Sequence, residues 1–281
     1  MRIILSRKGF DSSAGGIPSP ILPDGRPYSL PIPDVQSPIS YGDIDYDGIN
    51  LGDILFSMTG DPEWSRRGAH LDPDLRPGAL RRLPGWRPLL GQSGSAQGHL
   101  QIEGVGRGDL FLFFGSFRQV RIEGGRYRFS GPSLHLIWGW MQIAEVCKVD
   151  DLPEDALHWA RYHPHFAYGR DSANTLYLAT ERLSLGGQPT RLSGAGCFRH
   201  LDERRVLTVP GSKRQTRWQL PACFAPGEGR SGLSFHRNPN RWICMDNSCV
   251  LDSAFRGQEF VLATGGDRLP LEWVAGLLET I

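Results

Sequence analysis

A chain of 281 residues is long enough to bury a sizeable core as one large domain or two small ones. Its 31 Lys and Arg nearly cancel its 30 Asp and Glu, which excludes a global basic field, so nucleic-acid contact would have to rest on a local patch. The 5 cysteines include no CxxC spacing, which argues against a zinc ribbon or a paired redox motif and for reduced, mostly buried thiols.

Neither an apolar leader nor a run of about 20 apolar residues is found, and the expectation is a soluble, cytoplasmic protein without membrane contact. With 35 Gly and 21 Pro spread between short apolar runs, the chain reads as strand-rich and loop-rich. The predicted class is α+β: one mixed domain over 1–281, with a curved, mainly antiparallel central sheet and few short helices.

In chain order, "RIIL" is a buried strand, followed by "GIPSPILPDGRPYSLPIPD", whose prolines allow only an ordered, extended loop. "HLDPDLRPGALRRLPGWRPLL" allows at most a helical turn around Leu80. The central β-rich unit, about 100–185, holds "GDLFLFFGSFRQV" and "LHLIWGWMQIAEVCKV" as two long strands, with Gly139 as a bulge or close approach. "DLPEDALHWARYHP" is predicted as a short helix capped by Asp151, "NTLYLATERLSL" as a strand, and "LPLEWVAGLLETI" as an amphipathic helix presenting Leu271, Val274, Leu277 and Leu278.

Candidate chemistry begins at "SRKGFDSSAGG". Ser6, Arg7, Lys8, Ser12 and Ser13 could grip an anion, Gly16 would let backbone approach it, and Asp11 could act as a base or metal ligand. The same residues also suit a polar turn capped by Asp11. In "HLDPDL", His70, Asp72 and Asp74 could converge on a divalent metal, or an aspartate could cap the next turn. "GDIDYDGIN" imitates a calcium loop, but Ile54 stands where a bidentate glutamate is required, and the match is rejected.

His99, His135, His163 and His165 complete the polar candidates, with loops expected around His99 and around "HPHF". Trp138 is one of several aromatics that could stack on a base. Arginines 66, 67, 81, 82 and 87, near Trp64 and Trp86, form the concentrated basic tract.

"SRKGFDSSAGGIPSPI", "SLPIP", "HLDPDL", "GQSGSAQGHL", "GDLFLFFGSFR", "LIWGWMQI", "HPHF" and "QEFV", in this order, resemble the third of the nucleotide-modification-associated domain families. Those are bacterial and phage proteins associated with DNA base hypermodification. The centre is also similar to small barrels of the pseudouridine-synthase and archaeosine-transglycosylase type (PUA/ASCH-like), which grip modified bases.

The resemblance implies a nucleic-acid-base or nucleotide-modifying enzyme of unspecified reaction. Its partner would be a nucleotide or DNA, as a single strand or a flipped base. Asp11, His70 and Asp72 are the candidate catalytic residues, with Ser6, Arg7, Lys8, Ser12, Ser13, Gly16, His99, His135, Trp138, His163 and His165 binding substrate. A divalent metal is compatible with this set. The alternative is a non-catalytic reader that holds a modified base in nucleic acid through the barrel-like centre.

Overall fold

The computed structural model describes residues 1–254, 257 and 259–279. An eight-stranded sheet forms the centre, from β1 (Arg2–Arg7), β2 (Ser19–Ile21), β3 (Leu89–Gln92), β4 (Leu110–Glu123), β5 (Arg126–Lys148), β6 (Thr175–Ala179), β7 (Ala195–Cys197) and β8 (Glu259–Ala263). Its order is β8-β1-β4-β5-β6-β3, with β7 paired to β5 and β2 to β4. β1 and β2 run parallel to β4, and the other pairings are antiparallel. The two ends of this order do not pair, so the barrel-like centre expected from the sequence is an open sheet.

Both faces of the sheet are covered, which is why its strands read as apolar runs and not as alternations. Ile3, Leu5, Leu110, Leu112 and Phe114 face one core, under the small sheet of Arg217–Pro221, Trp242–Met245 and Ser248–Asp252 and the helix Leu269–Leu278. Ile4, Phe111, Phe113, Trp138 and Tyr177 face the other. β5 bulges at Trp138, because Phe113 pairs with Gly139 while Phe114 pairs with Ile137. A Cβ on Gly139 would lie 2.9 Å from the Gly196 carbonyl oxygen, so this glycine is the close approach and its neighbour Trp138 the bulge.

A separate core gathers Phe10, Tyr28, Leu30, Tyr41 and Trp64 under the tip of the β4–β5 hairpin. It is organised by α1 (Leu51–Thr59), which the sequence reading missed although its signals are present. Asn50 Oδ1 accepts from the Gly52 amide at the start, and Gly60 closes the end at φ 81°. Just before α1, Asp47 and Gly48 take φ of 54° and 83°, a two-residue hairpin turn that accounts for the false calcium pattern.

Three other expectations are corrected. The segment 149–166 holds separate 3-10 turns and no α-helix, interrupted by Pro153 and by Leu157 at φ 50°. His99 lies in α2 (Gly94–Ile102), where buried Gln97 and Leu100 anchor the helix despite its glycines, and not in a loop. Cys244 and Cys249 are joined by a disulfide across a hairpin, leaving Cys147, Cys197 and Cys223 free.

The predicted strand "NTLYLATERLSL" splits into β6 and Arg182–Leu185. The C-terminal helix, α3 (Leu269–Leu278), buries Val274, Leu277 and Leu278 as expected, while its predicted end at Thr280 and Ile281 lies outside the described residues. No described helix is long and apolar enough to cross a membrane.

Candidate functional site

The end of β1, the segment after His70, the end of β3 and the turn around His165 meet at one cleft of about 520 Å³. Arg7, Lys8, Asp11, Ser13, His70, Asp72, Gln92, Ser93, His165 and Tyr168 contribute to its wall. "SRKGFD" and "HLDPD", distant in sequence, are therefore in contact: Lys8 Nζ lies 3.2 Å from Asp72 Oδ2.

Asp72 is the best-held group. Its Oδ1 accepts the Gly91 amide at 2.6 Å and faces His163 Nε2 at 3.4 Å, and Oδ2 faces Lys8. Burial alone would push the carboxyl up, but the Lys8 ammonium and the His163 ring outweigh it and hold Asp72 well below the usual carboxylate range. An ionised, oriented carboxylate is the result.

Two imidazoles stand beside it. His70, on a short strand paired with Ile32, shares its Nδ1 with Asp34 Oδ2 at 2.9 Å. His165 Nδ1 lies 2.6 Å from Asn174 Oδ1, while Asn174 Nδ2 donates to the His165 carbonyl and so fixes which way the amide points. Burial lowers both imidazoles, His165 to about 4, so both rings are neutral at pH 7. Tyr168 stacks on His70 at 6.1 Å and touches His165 at 4.8 Å between ring centres. His70, Asp72 and His165 each offer one ligand atom, all within 4.8 Å of one another.

The geometry now bears on what the chain is related to. The family model for nucleotide modification associated domain 3 matches residues 2–263. The chain belongs to this family. The match takes in every cleft residue and ends before α3. No curated protein and no solved structure matches the chain.

In this nucleotide modification associated domain the expected residues separate into three groups. Arg7, Lys8, Asp11, Ser13, His70, Asp72 and His165 line the cleft, and His163 stands behind Asp72. Asp11, however, is tied into its own turn. It accepts from the Ser13 amide and hydroxyl at 2.7 and 2.6 Å and from the Ala14 amide at 2.9 Å, and it pairs with Arg7. Burial opposes ionisation there, but the Ser13 bonds, Arg7 and Ala14 prevail and hold its carboxyl low. The polar-turn reading and the cleft reading thus both describe "SRKGFDSS".

Other expected residues lie away from the cleft wall. Ser6 is buried and donates to Glu259, whereas Ser12 and Gly16 are exposed. Gly15 is packed against the Phe10 ring, and a Cβ on Gly16 would meet nothing within 4 Å. His99 bonds Ser234 and packs on Phe235. His135 is a core residue whose Nδ1 accepts from Trp218, and burial lowers it to about 3. Trp138 packs on Phe113 within the core, so it presents no open stacking face.

Asp74 leaves the metal pattern altogether. Its backbone pairs with Leu89 and its carboxylate binds Arg82 and Tyr162. Arg66, Arg67 and Arg87 of the basic tract are likewise paired, with Glu63, Asp61 and Glu145.

Asp34, Asn174, Gly91, Gln92 and Tyr168 were not found by sequence reasoning. They sit in loops or strand ends with no chemical pattern of their own. Glu259 was missed too, although it lies in the quoted "QEFV", whose Gln258 is outside the described residues. Its Oε1 accepts from Ser6 and Gln92, Oε2 has no hydrogen-bond partner among the described residues, and burial raises the carboxyl to about 7.

Proposed function

We propose that the chain is a nucleotide- or nucleobase-modifying enzyme that takes an anionic, nucleotide-like substrate into the cleft, as a free nucleotide or as a base presented from DNA. The observation that carries this reading is the meeting of Lys8 and Arg7 with the His70, Asp72 and His165 cluster on one cleft wall, in a chain of the nucleotide modification associated family. Ser93, which precedes α2, also lines the cleft, so the positive end of that helix dipole adds to the attraction for an anion. Lys8 and Arg7 hold the anionic group, Tyr168 offers a flat face, and the histidine and carboxylate cluster does the chemistry. Asp11 orients Arg7 and shapes the loop.

A reader would need an open aromatic cleft, and Phe114, Phe117 and Trp138 are buried, which favours the catalyst. Calorimetric titration with nucleoside mono- and triphosphates and with short single-stranded DNA tests the reading. Lys8→Met is expected to weaken binding about tenfold, the worth of one charge-assisted contact. Binding that is absent, or indifferent to Lys8→Met and Arg7→Met, overturns it.

A further inference from the structure

We infer that His70, Asp72 and His165 form a two-histidine, one-carboxylate centre for a divalent first-row transition ion, with its open coordination positions on the cleft side. The inference deepens the proposed function and rests on it for what the ion is used for; uptake of the ion is a property of these side chains alone.

The ligand atoms follow from the bonds already made. Each histidine commits Nδ1, one to the Asp34 carboxylate and one to the Asn174 amide oxygen. Neither acceptor can donate, so each Nδ1 carries the proton and each Nε2 keeps its lone pair. Among the described residues no hydrogen bond engages either Nε2, although His70 is 8% and His165 3% exposed and both rings line the cleft. A carboxylate or carbonyl behind the ring is the arrangement that fixes tautomer and direction in metal-ligating histidines. On Asp72, Oδ1 is occupied by the Gly91 amide and His163, leaving Oδ2 as the ligating oxygen.

Two further observations point the same way. A Cβ on Gly91 would stand 2.1 to 2.5 Å from Cδ2, Cγ and Nε2 of His165, so the ring is laid against bare backbone that holds it in one orientation. The cleft wall also carries two cationic side chains, Arg7 and Lys8, against two anionic ones, Asp11 and Asp72, each paired with the other kind. Among the described residues, such a wall has no surplus positive charge for an anionic substrate. A divalent ion supplies it, and by taking Asp72 Oδ2 it releases Lys8 into the cleft.

Two imidazoles and one carboxylate suit zinc, iron, cobalt or manganese and not magnesium or calcium, which prefer oxygen alone. Three protein ligands leave positions for water or substrate, as catalytic centres require.

The test is metal uptake by the full chain, stripped with chelator and containing no nucleotide. It is titrated with Zn²⁺, Co²⁺ and Mn²⁺, and with Fe²⁺ under argon, against a chromophoric competitor, with Mg²⁺ for comparison. One transition ion per chain is expected, with affinity lowered at least about 100-fold in His165→Ala and Asp72→Asn and about 10- to 100-fold in Asp34→Asn. Lys8→Met is expected to bind the ion more tightly, because it removes the competing ammonium, whereas a merely disrupted cleft would bind it more weakly. No uptake of one transition ion per chain, or uptake unchanged in Asp34→Asn and in those His165→Ala and Asp72→Asn proteins that keep wild-type near-ultraviolet circular dichroism, overturns the inference. Uptake with no nucleotide binding in the separate titration supports the centre while overturning the proposed function.

Discussion

Asp11 and Asp72 line the same cleft, and each faces a cation, yet they are built in opposite ways. Asp11 is satisfied locally: its acceptors are filled by Ser13, Ala14 and Arg7, all within four residues of it. The Asp72 carboxylate is held by distant chain, with Gly91 and His163 behind it and Lys8 before it, and its near neighbour His70 and distant His165 stand alongside. The difference separates a carboxylate closed on its own turn from one left open to the cleft. A carboxylate filled by its own neighbours has no valence left for a ligand, and one oriented from behind presents its free side to the cleft.

Four measurements test this difference between the two carboxylates. The largest effect is expected from Asp72→Asn, which leaves the largely buried Lys8 ammonium without its counter-charge. It should cost about 3 kcal/mol in denaturant unfolding. A cost near zero would mean that Asp72 is as dispensable as a surface acid.

Gly91→Ala comes next, because its methyl group would overlap the His165 ring. It should cost about 1–3 kcal/mol and displace the ring from Asp72. Unchanged stability together with unchanged substrate binding would show that this ring position is not needed.

Glu259 is a third acid, one with no ion-paired cation among the described residues. Its folded-state value near 7 lies above the ordinary 4.5, so the folded protein holds the proton more tightly than the unfolded chain. The stability this contributes is complete below about pH 4.5 and is lost as pH rises through 7. Unfolding followed from pH 5 to 8 should show that decline in the wild type and not in Glu259→Gln. Parallel curves would remove Glu259 as its source.

The smallest effect is expected from Asp11→Asn. It keeps an acceptor for the Ser13 and Ala14 amides and should cost under about 1 kcal/mol. Nucleotide affinity should change no more than a few-fold, and a loss as large as that in Lys8→Met would place Asp11 back among the working residues.

The sequence shows the ingredients of this site more clearly than their arrangement. β1, β4, β5 and α3 announce themselves through apolar runs and helical spacing, because burial on a regular element leaves a periodic trace. Lys8, His70, Asp72 and His165 stand out as polar residues among glycines and prolines. What pairs with them does not, since Asn174 behind His165 and Asp34 behind His70 are ordinary loop residues until the chain folds. Asp74 shows the converse: close to Asp72 in sequence, it is turned to Arg82 and Tyr162 by pairing with Leu89. His99 and His135 looked equivalent to the cleft histidines, and only packing against Phe235 and Trp218 distinguishes them.

Product formation followed by mass spectrometry tests whether the chemistry resides in the Asp72 cluster and not in the Asp11 turn. Wild-type protein, Asp11→Asn and His165→Ala would be incubated with nucleotides and DNA carrying modified pyrimidines, with and without a divalent transition ion. A mass change in substrate with wild type and Asp11→Asn, and none with folded His165→Ala, is the predicted result. Turnover that survives the loss of His70, Asp72 and His165 together would contradict the account.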